Sequence, residues 1–93
     1  MQKLLQDKNV YIGKNLKRLR LEKGMSQMDM VTKIQLYGRN MSRANYAHIE
    51  QGIRNIYVSD LILIKEILAV SYDEIFAEIT IEEVKERILR NTI

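Results

Sequence analysis

The sequence predicts an all-α fold: a compact bundle of five helices with an additional C-terminal helix. Three observations carry that expectation. The 93 residues include no proline and four glycines. No Val/Thr/Tyr alternation runs long enough to suggest a strand. Hydroxyl residues also recur behind an apolar one, at Met25-Ser26, Met41-Ser42, Val58-Ser59, Val70-Ser71 and Ile79-Thr80. Each hydroxyl can cap the orphan N–H groups of a first helical turn. Counted from those caps, the fourth helical positions are Met30, Tyr46, Leu63, Ile75 and Val84. All are apolar and able to close a hydrophobic staple onto the residue before the cap.

Taken in order, the first helix is expected from about Val10 to Lys23, burying Ile12, Leu16 and Leu19 at helical spacing. Its other side shows Lys14, Lys17 and Arg18, and Gly24 follows as a left-handed cap. The second and third helices start at Ser26 and Ser42, with Asp29 and Asn45 three residues on, and Gly52 follows the third. The fourth, DLILIKEILA, is apolar almost all round, so it is either central or shared with a partner. Ser71…Glu74 and Thr80…Glu83 form capping boxes for the last two helices. The final helix carries a narrow stripe of Ile81, Val84 and Ile88. Residues 1–9 read as an N-terminal arm, 10–77 as one domain and 78–93 as a C-terminal helix and candidate dimerisation segment.

Composition excludes several functions. There is no cysteine, hence no disulfide framework, thiolate nucleophile or Cys-based metal site. The longest apolar run, LILI at 61–64, is far short of a membrane span. With no signal peptide recognised, the chain reads as soluble and cytoplasmic. One histidine, no Gly-rich phosphate loop and no metal-ligand spacing argue against an enzyme and imply no cofactor or metal. Glu82, Glu83 and Glu86 read as a hydrated acidic face. Charge is unevenly placed: residues 1–58 hold eleven Lys/Arg against four Asp/Glu, and residues 59–93 hold four against eight. A basic surface for a polyanion and a separate acidic part account for that split.

The third helix is the informative one. With Arg43 at zero and about 100° per residue, Tyr46, Ile49 and Glu50 fall between about 240° and 340°, an inward side. Ala44, Ala47, His48 and Gln51 fall between about 40° and 140°, an outward side, with Arg43 at the edge. Small residues permit close approach to a surface, and alanine can meet a thymine methyl. Arg, Gln and His can hydrogen-bond base edges and phosphates. The bland alternative is a solvated face with a surface histidine. Glu50, a carboxylate on the inward side, needs a cation, and Arg20 at the end of the first helix is the candidate.

These residues resemble the phage-repressor and Cro-like (XRE-type) helix-turn-helix family. The likeness lies in IGKNLKRLRLEKGMSQMDMVTKI, then MSRANYAHIEQGIRN, then VSDLILIKEILAVSYDEIF, about residues 10 to 77. It implies a lambda-repressor-like five-helix domain that reads double-stranded DNA as a homodimer, with helix 3 in the major groove. By the same resemblance Gln27 would hydrogen-bond a phosphate, and Ser42, Arg43, Ala44 and His48 would touch bases or the adjoining backbone. Asn45 would lie near phosphates, and Arg54 and Asn55 match backbone-contacting positions. Arg20 and Glu50 match the family's internal ion pair.

One stretch departs from the family. From Gln27 to Ser42 is fifteen residues, about five more than the family's turn uses, or about 1.4 helical turns. The simplest accommodation extends helix 2 to Tyr37, stops it at Gly38 and lets Arg39-Asn40-Met41 turn into helix 3. Leu36 or Tyr37 would then pack over the bundle, and Arg39 would project near DNA. The alternative is a longer exposed turn with no contact. The expected function is a sequence-specific transcriptional regulator, a repressor acting by operator occupancy. The competing reading is a protein-interaction module, such as an antitoxin or a regulator controlled by a protein partner.

Overall fold

The computed structural model describes residues 3–4 and 11–92. Among the described residues six helices follow one another: α1 (Gly13–Glu22), α2 (Gln27–Leu36), α3 (Arg43–Glu50), α4 (Val58–Leu68), α5 (Tyr72–Ile75) and α6 (Ile81–Thr92). The expected all-α bundle is therefore present. Two short strands, β1 (Lys3–Leu4) and β2 (Ile56–Tyr57), pair antiparallel. The sequence reading expected no strand, and a two-residue pairing is too short to leave an alternation pattern. The rest of the expected arm over 1–9 lies outside the described residues. No helix among the described residues is long and apolar enough to cross a membrane.

Local chemistry sets most helix ends. Ser26 accepts from the Asp29 N–H at 2.9 Å while Asp29 accepts from the Ser26 N–H, a complete capping box. Those bonds hold the Asp29 carboxyl below its usual range, first through the Ser26 backbone N–H. Ser71 and Glu74 repeat the box on α5. Ser42 caps α3 by accepting from Asn45 N–H at 3.1 Å, and Thr80 accepts from Glu83 N–H at 3.4 Å at the start of α6. The fifth expected cap is corrected. Helix α4 begins at Val58, straight out of β2, and Ser59 falls inside its first turn. The side chain that matters there is Asp60. Helix α1 likewise starts at Gly13 rather than near Val10.

The core collects one side of every helix from α1 to α5. Leu16, Leu19, Met30, Ile34, Tyr46 and Ile64 are at most 2% exposed. Asn15 is a buried polar member that no sequence pattern marks. Its amide donates to the carbonyls of Ile75 and Ala77, each at 2.8 Å, and so ties the end of α5 to α1. Helix α6 behaves differently. Ile81, Ile88 and Leu89 are about 60% exposed, and a 3.6 Å ion pair from Lys14 to Glu83 links its first turn to α1. Of its apolar row, Val84 is half-buried while Ile81 and Ile88 stay exposed.

Candidate nucleic-acid interface

The lengthened connection sets where α3 stands. Helix α2 runs to Leu36 with Tyr37 as its cap, and Gly38 takes a left-handed φ of +89°, open to glycine at little cost. The backbone then doubles back, with Arg39 N–H donating to Ile34 carbonyl at 3.4 Å and Gln35 Nε2 to Met41 carbonyl at 3.1 Å. The extra residues thus fall partly in α2, which ends at Leu36, and partly in the connection 37–42 that leads into α3. Two details differ from expectation. Leu36 and Tyr37 do not cover the bundle; they are 82% and 59% exposed. Nor does Arg39 project outward. Its Nε lies 2.8 Å from Asp60 Oδ1 and its Nη2 donates to Oδ2 at 3.3 Å. The guanidinium also sits 5.2 Å from the centre of the Tyr57 ring. A nearly buried carboxylate draws the arginine in, because leaving that charge unpaired costs several kcal/mol, of the order of 3–5.

Helix α3 divides as its periodicity requires. Tyr46, Ile49 and Glu50 are at most 4% exposed, while Ser42, Arg43, Ala44, His48 and Gln51 are exposed and Ala47 is half-buried. Beneath that outward face runs a chain of polar contacts. Arg20 donates to Glu50 through Nε at 2.7 Å and Nη2 at 3.0 Å, and through Nη1 to the Met25 carbonyl at 2.8 Å. Gln27 Nε2 donates to Glu50 at 3.1 Å, and Gln27 Oε1 accepts from Arg43 Nη1 at 3.2 Å. The outward arginine is therefore steadied by the first residue of α2, which is steadied by the buried pair.

Electrostatics agree with that geometry. Burial pushes the Glu50 carboxyl up, but the Arg20 and Gln27 hydrogen bonds, with the Tyr46 phenol close by, outweigh it and the net direction is down. Arg20 is raised, first by its hydrogen bond to Glu50. Burial raises the Tyr46 phenol far out of its ordinary range.

The remaining site candidates gather around the end of α3. Ile53 and Arg54 N–H groups both donate to the His48 carbonyl, at 3.0 and 3.2 Å, and Gly52 turns the chain with φ +75°. Arg54 Nη1 donates to Asn45 Oδ1 at 3.4 Å, which joins the loop to the first turn of α3. Asn55 is exposed beside it. Of the nine residues expected to meet DNA, Gln27, Ser42, Arg43, Ala44, Asn45, His48, Arg54 and Asn55 lie on α3 or at its flanks. Arg39 is the exception, committed inward. Asp60 and Tyr57, its partners, were passed over. The signal available for Asp60 was a lone acidic residue in the apolar run VSDLILI.

Comparison with known proteins is informative in one direction. Neither protein-family models nor curated proteins return a match. Among solved structures, the chain is similar to a point mutant of the restriction–modification controller protein C.Esp1396I. Identity is 30% over 91% of this chain and 96% of that one, with a TM-score of 0.60. Shared sequence across nearly both whole chains, on the same helical architecture, shows that this chain belongs to the Cro/C-type (XRE) helix-turn-helix family of transcription regulators.

Proposed function

We propose that the protein is a sequence-specific double-stranded DNA-binding repressor that inserts α3 into the major groove as a homodimer. The observation that carries this reading is the outward face of α3: Arg43, Ala44, His48 and Gln51 stand clear of a core that grips the helix through Tyr46, Ile49 and Glu50. In this reading Ser42, Arg43, Ala44 and His48 meet base edges and the adjoining backbone. Asn45, Arg54 and Asn55 face phosphates. Gln27 keeps one amide hydrogen for a phosphate after donating the other to Glu50. Residues 10–77 form the DNA-binding unit, and 78–93 the dimerisation segment. The exposed apolar row of α6 supports that division, since a second copy would cover it. A single α3 offers few base contacts, which favours a dimer on an inverted repeat with half-sites about one DNA turn apart. The controller role named for the similar protein supports regulation as the outcome of binding.

A salt titration on duplex DNA tests the reading. Log affinity should fall linearly with log salt, with a slope of about −0.9 per neutralised phosphate. No affinity for any duplex at low salt would overturn it in favour of a protein-interaction module. Arg43→Ala and His48→Ala separate recognition from folding. Each should weaken binding to the preferred site by about 1–3 kcal/mol, on the scale of a lost base contact. Thermal stability should stay within about 0.5 kcal/mol of the parent, because both side chains are exposed. Comparable loss of folding would place that face inside the protein.

A further inference from the structure

The lengthened turn is anchored at one end by a pair that a DNA contact does not require. Asp60, in the first turn of α4, is 3% exposed; its Oδ2 accepts from Arg39 Nη2, and its Oδ1 lies in ion-pair contact with Arg39 Nε. Tyr57 forms the ring beneath that guanidinium. The pair borders a small polar cavity of about 70 Å³. Arg39 and Asp60 share its wall with Asn40, Asn45, Arg54 and Asn55. The inward pair thus adjoins Asn45, Arg54 and Asn55, and sits at the root of the segment that leads into α3.

We propose that Asp60 is a positioning residue for DNA recognition: through Arg39 it clamps the lengthened turn onto α4 and so fixes the approach of α3, without touching the duplex. The inference rests on the DNA-binding reading and deepens it. Its physical content is a conflict of signs. Asp60→Asn raises the net charge from +3 by one, and on charge alone it should strengthen binding to every duplex. Loss of the clamp should do the reverse, and only for the sequence that needs α3 in register.

The experiment measures affinity for two duplexes: one that the parent protein selects from a random-sequence pool, and a scrambled duplex of equal length and composition. For Asp60→Asn, affinity for the selected duplex should fall about tenfold, the scale of coupling between directly paired groups. Affinity for the scrambled duplex should hold or rise. Arg39→Lys keeps the net charge but not the two-pronged fork, and should lower the selected-to-scrambled ratio in the same direction by a smaller factor. Should Asp60→Asn fail to fold by circular dichroism, Arg39→Lys decides the matter alone. A folded variant with a lower Tm and the parent's ratio would overturn the positioning role and leave a structural ion pair. If the parent discriminates no duplex, the DNA-binding reading fails and this inference falls with it. If the parent discriminates and both variants match it, only this inference fails.

Discussion

Gly13→Ala is expected to destabilise the fold by about 3 kcal/mol, the upper end of the usual cost of overpacking. Gly13 opens α1 at the point where it lies against the end of α3. A Cβ built there falls 2.5 Å from the Glu50 carbonyl oxygen and closer still to that of Ile49. Both obstacles are backbone, so no side-chain rotation relieves them, and α1 and α3 must move apart. Gly24→Ala is the informative control. Gly24 has a left-handed φ of +69° but nothing within 4 Å of its Cβ position, so its cost should be only the local one, about 1–2 kcal/mol. Thermal melts of both variants check the ranking. For a domain of this size each 1 kcal/mol shifts Tm by about 4–8 °C. An equal or larger drop for Gly24→Ala would contradict the close approach of α1 to α3.

Glu50→Ala should have the largest effect of any side-chain truncation near the candidate interface, about 3–5 kcal/mol. It strands the Arg20 guanidinium, which is 5% exposed, and removes the acceptor of Gln27. Acid should reproduce part of the effect in the parent. Because the hydrogen bonds from Arg20 and Gln27, with the Tyr46 phenol close by, outweigh burial, the folded-state pKa of Glu50 lies below the ordinary 4.5. Its contribution is therefore complete above about pH 4.5 and is lost as pH falls through the lower folded value. Chemical denaturation from neutral pH downward should show this loss in the parent. Glu50→Gln, already uncharged, should show a correspondingly flatter acid limb. Identical pH dependence in the two proteins would remove the buried pair from the account.

What could be read from sequence follows the range of the physics. Caps at Ser26, Ser42 and Ser71 act within four residues, so the strings that encode them are local and the helices start where those strings stand. The inward and outward sides of α3 follow from a fixed rotation per residue and eight consecutive identities. The stop at Gly38 is local as well, since a glycine after an apolar periodic run can take the left-handed turn. The destination of Arg39 is not local. Its partner Asp60 lies twenty-one residues on, and nothing in either segment names the other. A lone arginine in an insertion carries no periodicity to show which way it turns. The same limit hid the Asn15 bonds to α5, sixty residues away. The exposure of Leu36 and Tyr37 is not legible in the sequence for a related reason. Apolar character says what burial would gain, not whether anything lies within reach.

The central claim is that the outward face of α3 reads base sequence. Its most direct test is selection of bound duplexes from a random pool by the parent and by Arg43→Ala, comparing base preference at each position. The parent should yield an inverted repeat with half-sites about one helical turn apart. Arg43→Ala should lose its preference at a single base pair in each half-site while keeping the others. The same preferences in both proteins, or no enriched sequence from the parent, would contradict it.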